Sequence, residues 1–360
     1  MAAITTSTLA RKYRPRTLAD VVGQDNTIEQ LEAAIKKKKF SSSYLFSGRT
    51  GCGKTTLALI IASYLGCSTG TACGKCPGCK AGRASPDFTH KDAATQGKVD
   101  DIRELMKLAQ VSPMFGKRVI IIDECHMLTG QAANALLMTL EEPPENTVFI
   151  LCTTEPEKLL PTIRNRCTHF PILDVPAPMM VKRMLKIIKK EKGSVDKEAV
   201  KPGLKSLAEL ADGSMRQALA LLETVIDTDM SPEIIEKRFR ASNKSQANLY
   251  EAAADVMAAV LEGDIAEAVK AIRKVDQRPL MYELTNLCDN VIAKMCGVSD
   301  SNTYSMRLLR ERVKAKKLDI DIATLALYMA RVSEIKYENL YKHTLQNITV
   351  VFIHEQSAND

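Results

Sequence analysis

Residues 45–56 constrain this 360-residue chain more than any other segment. They read L-F-S-G-R-T-G-C-G-K-T-T and fit the phosphate-binding pattern G-x-x-x-x-G-K-[ST]. Glycines let backbone N–H groups turn toward phosphate oxygens. A strand-like lead-in at 44–46 and helical spacing after the loop supply the context that the motif requires. The segment predicts binding of a nucleoside triphosphate through Gly48, Gly51, Cys52, Gly53, Lys54, Thr55 and Thr56.

Two acids follow a second apolar segment. Residues 119–122 are all β-branched, which is typical of a buried parallel strand, and Asp123 and Glu124 come directly after them. Lys54 is predicted to reach the β- and γ-phosphates, and the Thr55 hydroxyl and Asp123 to hold Mg²⁺. Glu124 is then placed to polarise the attacking water, so the pattern predicts hydrolysis. Because residues 123–126 also have the form of a DExH helicase motif, a helicase stays an alternative.

Three further polar residues are candidates for the same site. Thr154 follows another apolar strand, residues 148–152, and its hydroxyl can face the γ-phosphate. Arg166 lies in a loop from which it can complete the site of a neighbouring subunit. Arg216 begins a helix after a turn and can fold back onto the nucleotide. For either arginine, a solvated surface position is the alternative.

Four cysteines lie close together after the phosphate-binding segment, in a C-x5-C-x2-C-x2-C pattern. Thiolates at this spacing suit a tetrahedral structural Zn²⁺ site, and an iron–sulfur cluster is the alternative. The nearby His90 is interpreted as an ordinary polar residue. The predicted zinc ligands are Cys67, Cys73, Cys76 and Cys79.

Composition indicates the kind of partner. The net charge is +7, and basic clusters at 11–16, 36–39 and 182–192 favour a polyanion, above all nucleic acid. Aromatic residues make up 5% of the chain and Trp is absent, which argues against recognition mainly by base stacking. Because the sequence has no apolar run of about 18 residues, we expect a soluble intracellular protein with reduced cysteines.

The order of the motifs resembles one family closely. K-Y-R-P begins at Lys12, V-G-Q follows at Val22, and D-E-C-H-M-L begins at Asp123. L-E-E-P-P, T-T-E-P, an arginine–cysteine pair and G-S-M-R-Q-A come after these in the same order. Together they resemble the bacterial-type clamp-loader ATPases, the DNA polymerase III gamma/tau family of the AAA+ superfamily.

The resemblance implies a fold in three parts. Residues 1–174 would form an α/β P-loop AAA+ domain with a parallel sheet and a zinc module at 67–79. Residues 175–240 would form an all-helical lid, and residues 241–360 an all-helical collar for oligomerisation. The helical periods that fill the chain after about residue 176 agree with this.

The resemblance also implies residue roles. Arg166 would reach the ATP of an adjacent subunit, although Asn165 replaces the family's serine. Arg216 would contact the γ-phosphate within its own subunit, and Thr154 would be the polar sensor of its strand. The residues that would line the adenine pocket are Arg11, Tyr13, Arg14, Val21 and Val22.

The implied partners are other clamp-loader subunits in a pentamer, a sliding clamp and primer–template DNA, with no membrane. Lys98 and Arg103 are candidates for lining the DNA chamber. We expect a cytoplasmic, nucleoid-associated protein. Because the sequence stops at Asp360, it resembles the short form of the family or a compact viral counterpart. Another DNA-dependent AAA+ remodeller and a scaffold subunit that does not hydrolyse ATP remain alternatives.

Overall fold

The computed structural model describes residues 8–193, 195–228, 230–297, 303–318, 322–333 and 344–357. Its sheet has five strands in the order β2-β3-β4-β1-β5, and every pair of neighbours is parallel. The strands are β1 Ser43–Ser47, β2 Phe88–Asp92, β3 Arg118–Asp123, β4 Thr147–Thr153 and β5 Thr168–Pro171.

The central strands β1, β3 and β4 are apolar between their end residues because both faces of the sheet are covered. Along β3, Val119 and Ile121 join one core cluster, whereas Ile120 and Ile122 join the other. Strands β1 and β4 alternate between the same two clusters. The edge strands β2 and β5 are more polar, since each is paired on one side only among the described residues.

Among the described residues from 8 to 176, eight α-helices accompany the strands. The helix α3 starts at the lysine of the phosphate-binding segment and follows β1 directly. The helices are α1 Thr8–Lys12, α2 Asp25–Lys37, α3 Lys54–Leu65, α4 Pro77–Ala81, α5 Ala93–Gln96, α6 Val99–Ala109, α7 Gly130–Glu141 and α8 Pro161–Asn165.

The chain divides into two compact units. The first is Met1–Arg183 with Gly213–Ala220, and it holds the sheet. The second is Met184–Asp212 with Leu221–Asp360. The remaining helices are α9 Ala177–Lys192, α10 Lys197–Ala211, α11 Met215–Val225, α12 Pro232–Ser242, α13 Lys244–Glu262, α14 Ile265–Ile272, α15 Gln277–Met295, α16 Tyr304–Lys316, α17 Ile322–Ser333 and α18 Thr344–Ser357.

Among the described residues of the second unit, the regular elements are all helices joined by turns and short loops. Its long helix α13 packs against α14, α15 and α16, and a run of buried alanines on α13 lets these helices approach closely. Phe239, Tyr250 and Tyr304 form an aromatic cluster with ring centroids 5.8–6.3 Å apart. The division of the chain into ATPase domain, lid and collar stays a prediction. Within the described ranges, every helix is too short or too polar to span a bilayer.

Candidate functional site

The loop between β1 and α3 has a backbone that needs its glycines. Gly48, Gly51 and Gly53 have φ angles of 146°, 85° and 121°. A Cβ at Gly48 would lie 2.2 Å from the Ile172 carbonyl oxygen, and one at Gly51 would lie 2.1 Å from Ser214 Oγ. At Gly53 nothing lies within 4 Å of a Cβ position. The loop therefore wraps the N-terminus of α3, whose free N–H groups favour an anion.

Lys54 is buried beneath this loop. Lys54 is only 5% exposed, and its Nζ donates to the carbonyl oxygens of Gly48 at 2.7 Å and Arg49 at 3.0 Å. A buried ammonium needs such acceptors. The neighbouring Cys52 is also buried, which raises the pKa of its thiol, and Sγ donates to the Arg49 carbonyl at 2.8 Å. The ammonium group of Lys54 is thus bonded to the backbone of the anion-binding loop.

Thr55 and Asp123 meet at the carboxyl ends of β1 and β3. The Thr55 hydroxyl donates to Asp123 Oδ2 at 2.7 Å, and His90 Nε2 lies 3.5 Å from the same oxygen. Burial opposes the ionisation of Asp123, but the hydrogen bonds from His90 and Thr55 outweigh it and lower the pKa of Asp123. The carboxylate is consequently kept ionised next to a hydroxyl, a donor set that suits a divalent cation.

Glu124 stands beside this pair in a left-handed backbone conformation, with φ 47°. Its Oε2 accepts a hydrogen bond from the Thr154 hydroxyl at 3.2 Å and lies 3.5 Å from His126 Nδ1. The ring of His126 also contacts Thr153 Oγ1 at 3.1 Å and Glu155 Oε1 at 3.2 Å. Residues at the ends of β3 and β4 therefore share one hydrogen-bond network around Glu124.

Two arginines approach the loop from outside the sheet. Arg14 Nε donates to Thr56 Oγ1 at 3.1 Å. Burial, together with the charges of Arg83 and Arg216, lowers the pKa of Arg14, whereas Asp123 raises it. The Cβ of Arg216 would lie 3.2 Å from a Cβ at Gly51. The structure thus brings both arginines to the phosphate-binding loop.

The residues predicted for the adenine pocket lie in the same unit. Tyr13 is half-buried, and its carbonyl accepts from Arg183 Nη2 at 2.9 Å. Val21 packs against the core cluster of β1 and α3, Val22 is half-buried, and Arg11 is exposed. A role for these residues in binding adenine stays a prediction.

Arg166 lies at the end of α8 on the surface of the unit. Its Nη2 donates to Glu141 Oε1 at 2.7 Å and its Nη1 to the Thr162 carbonyl at 3.0 Å. These contacts are with α7 and α8 rather than with the phosphate-binding loop. The exposed Lys98 precedes α6, and Arg103 pairs with Asp100 at 3.5 Å, where both side chains are mostly exposed.

The four cysteines come together as their spacing predicts. Their Sγ atoms lie within 4.8 Å of one another. The Sγ of Cys67 is 3.7 Å from that of Cys73 and 3.8 Å from that of Cys76. Sulfurs around a tetrahedral Zn²⁺ with bonds of about 2.3 Å are separated by about 3.8 Å, so the cluster fits zinc. Burial opposes the ionisation of Cys67, but hydrogen bonds from Thr69 and the backbone outweigh it and lower its pKa.

The sequence does not indicate a role for two histidines of the site. From the sequence His90 is an ordinary polar residue, but its position on β2 brings its Nε2 to 3.5 Å from Asp123 Oδ2. His126 is visible in the sequence only as part of a motif. The motif D-E-C-H could have identified His126 as a residue of the site. His90 is far from Asp123 along the chain and becomes its neighbour only through the pairing of β2 with β3.

Comparison with known proteins gives consistent relatives. A family described as DNA polymerase III, delta subunit, matches residues 23–176. The tau subunit of DNA polymerase III from Escherichia coli is 34% identical over 344 residues, which cover 91% of this chain and 52% of that protein. The tau/gamma subunit from Haemophilus influenzae is 42% identical over 224 residues, covering 61% and 32%. The chain thus spans about a third to a half of the length of these relatives.

Solved structures give weaker likenesses. A Holliday junction branch migration motor, RuvB of Thermotoga maritima, has 17% identity and a TM-score of 0.49 over 86% of this chain and 99% of that one. A gamma subunit-related protein of DNA polymerase III from the same organism has 20% identity and a TM-score of 0.36, covering 90% and 99%.

The strand order and the site define the class. In the sheet, β4 lies between β1, which precedes the phosphate-binding loop, and β3, which leads to the two acids. Helical segments follow the sheet along the chain. This is an AAA+ type P-loop domain followed by helical domains. The sequence relatives agree with this class: over most of its length the chain is related to the gamma/tau subunits of DNA polymerase III.

Proposed function

We propose that this chain is an ATP-hydrolysing clamp-loader subunit that opens a sliding clamp and places it on primer–template DNA. The observation that carries the proposal is the contact of Thr55 with Asp123, at 2.7 Å, beside the buried Lys54 and the acid Glu124. A hydroxyl, an ionised carboxylate and an ammonium at the N-terminus of a helix are the groups that P-loop ATPases use.

Each group has a defined task in binding ATP. Lys54 exchanges its bonds with loop carbonyls for bonds with β- and γ-phosphate oxygens. The Thr55 hydroxyl and Asp123 hold Mg²⁺, which neutralises phosphate charge when it is bound. Arg14 and Arg216 add positive charge on the other side of the loop, and Arg216 contacts the γ-phosphate.

Hydrolysis depends on Glu124, which orients and polarises the attacking water. The Thr154 hydroxyl, bonded to Glu124 Oε2 at 3.2 Å, holds the carboxylate and senses the γ-phosphate. Arg166 acts in trans on the ATP of an adjacent subunit, a role supported by its exposed position next to Glu141. An arginine supplied in this way stabilises charge in the phosphoryl-transfer transition state.

The proposal extends to assembly and partners. Residues 1–174 form the ATPase domain, residues 175–240 the lid, and residues 241–360 the collar of a pentamer. Lys98 and Arg103 contact DNA phosphates, so binding is salt-dependent and nearly independent of sequence. The four cysteines hold a structural Zn²⁺, and the protein works in the cytoplasm.

The test is the steady-state ATPase rate with primed DNA and the sliding clamp of the source organism, alone and together. We expect both together to stimulate turnover strongly in the wild type. Lys54→Ala removes binding of the phosphates, and Arg166→Ala removes the contribution to the neighbouring site. Arg164→Ala, two residues earlier and on α8, is the matched control and keeps stimulation.

The outcomes separate the alternatives. Stimulation by DNA alone, with no effect of the clamp, would favour another DNA-dependent remodeller. An absence of turnover, even after addition of accessory subunits, would favour a scaffold. Equal losses of stimulated ATPase turnover in Arg164→Ala and Arg166→Ala would contradict the trans role of Arg166.

A further inference from the structure

His90 reaches the predicted cation site from the edge strand β2. Its partner in the register of β2 with β3 is Ile121, two residues before Asp123. Its side chain is 34% exposed, and Nε2 lies 3.5 Å from Asp123 Oδ2, whose own side chain is 17% exposed. An imidazole nitrogen therefore stands at the point where the two proposed Mg²⁺ ligands meet.

Two donor atoms lie as close to Asp123 Oδ2 as neighbouring ligands of one cation do. Thr55 Oγ1 and His90 Nε2 lie 2.7 Å and 3.5 Å from Asp123 Oδ2. Neighbouring ligands of an octahedral cation with bonds of about 2.1 Å are about 3 Å apart. The backbone N–H of Glu124 holds the other oxygen, Asp123 Oδ1, at 3.2 Å, so that Oδ2 faces Thr55 and His90.

The His90 imidazole nitrogen differs from the two oxygen donors in the metals that it favours. Mg²⁺ prefers oxygen ligands and dehydrates reluctantly, whereas imidazole suits first-row transition metals such as Fe²⁺ and Ni²⁺. We propose that His90 Nε2 is a third protein ligand of this cation site, and that it shifts the preference of the site from Mg²⁺ toward such metals. The inference rests on the proposed nucleotide site and goes beyond the pair Thr55 and Asp123.

The test is pulsed electron paramagnetic resonance of Mn²⁺ bound to the full chain with a β,γ-methylene analogue of ATP. This analogue carries no bridging nitrogen, and histidine-specific ¹⁵N labelling separates ring nitrogens of the protein from those of adenine. We expect a directly coordinated histidine nitrogen in the wild type and its loss in His90→Gln. His169→Gln is the matched control: His169 lies on β5, at the opposite edge of the sheet, 2.7 Å from Ser47 Oγ, and the variant keeps the signal.

The same spectra distinguish failure of the inference from failure of the nucleotide site. Coupling of Mn²⁺ to ³¹P shows that the cation and the phosphates share a site. If ³¹P coupling appears without histidine coupling, His90 only donates a hydrogen bond to Asp123 and the inference is overturned. If neither coupling appears, the proposed nucleotide site is overturned together with the inference.

A competition titration gives a second readout that does not depend on turnover. Loss of even an outer hydrogen-bonding partner of a metal ligand costs about 10- to 100-fold in metal affinity. Loss of a direct imidazole ligand should therefore cost Ni²⁺ at least about tenfold, whereas Mg²⁺ keeps its oxygen ligands, so we expect the ratio of Ni²⁺ to Mg²⁺ affinity to fall at least about tenfold in His90→Gln. An unchanged ratio, in a variant that still binds the nucleotide analogue, contradicts the proposed preference.

Discussion

A buried ion pair lies at the start of β3, the strand that leads to Asp123 and Glu124. Arg118 Nη2 lies 3.6 Å from Asp87 Oδ1, and both side chains are 3% exposed. Arg118 also donates to the carbonyls of Val111 and Pro86 at 3.1 and 3.0 Å. Asp87 accepts from backbone N–H groups at positions 114 and 115, each at 2.9 Å. The pair therefore ties β3 to the segments on either side of α6.

Arg118→Met removes one partner and leaves the other charge buried. Such a change costs about 3–5 kcal/mol, because the remaining ion is neither solvated nor paired. Asp87 keeps its two backbone hydrogen bonds, so we place the loss near the lower limit, about 3 kcal/mol. This corresponds to an increase of roughly 100-fold in the population of opened β3.

Hydrogen exchange followed by mass spectrometry measures this opening in the full chain. Peptides that cover β3 report the free energy of opening of the first unit without interference from the second. Lys117→Met is the matched control, since it removes the same charge one residue earlier, and we expect a change within about 0.5 kcal/mol. Combining Arg118→Met with Asp87→Asn should restore part of the loss. Equal exchange in Arg118→Met and Lys117→Met would refute the reasoning.

Three further results are expected. Purified protein carries about one zinc per chain, and Cys76→Ser loses it, whereas the exposed Cys296→Ser keeps it in metal analysis. His126→Gln lowers the turnover number and leaves nucleotide affinity unchanged in paired rate and binding assays, because His126 contacts Glu124 rather than the phosphate-binding loop. Burial raises the pKa of Cys167 to about 11, so its thiolate fraction is small at pH 8 and rises as the pH approaches 11. We therefore expect alkylation of Cys167 to be slow at pH 8, whereas alkylation of the exposed Cys296 is fast.

Each of these has a contrary result. Zinc retained in Cys76→Ser would exclude this cysteine as a ligand. A loss of nucleotide affinity in His126→Gln would mean that the ring supports the binding loop instead of Glu124. Similar alkylation rates for Cys167 and Cys296 at pH 8 would contradict the burial of Cys167.

The sequence predicted the centre of the sheet and missed its edges. The strands β1, β3 and β4 are buried on both faces, so their residues form continuous apolar runs that can be recognised without a structure. Strand β2 has the sequence F-T-H-K-D. An edge strand buries less of its surface, so its residues need not be apolar, and no pattern distinguishes β2 from a loop. The same applies to the four residues of β5.

The candidate site was predictable where it depends on local motifs. The loop, Thr55 and Asp123 were found because their spacing within each motif is fixed by the chemistry of phosphate binding. The helical character of the second unit was also recognised and is confirmed for its described residues, although α12 and α18 were not identified as separate helices. The contact of His90 with Asp123 depends on strand pairing between distant segments, which one sequence does not reveal.

The most direct test of the account compares ATP binding and ATP hydrolysis in Glu124→Gln. The substitution keeps the size of the side chain and removes the charge that polarises water, while Lys54, Thr55 and Asp123 remain to hold the nucleotide. We predict wild-type affinity for ATP in a direct binding assay and turnover reduced at least about 100-fold in the presence of primed DNA and clamp. Turnover near the wild-type rate, with binding intact, would contradict the assignment of Glu124 and with it the proposed mechanism.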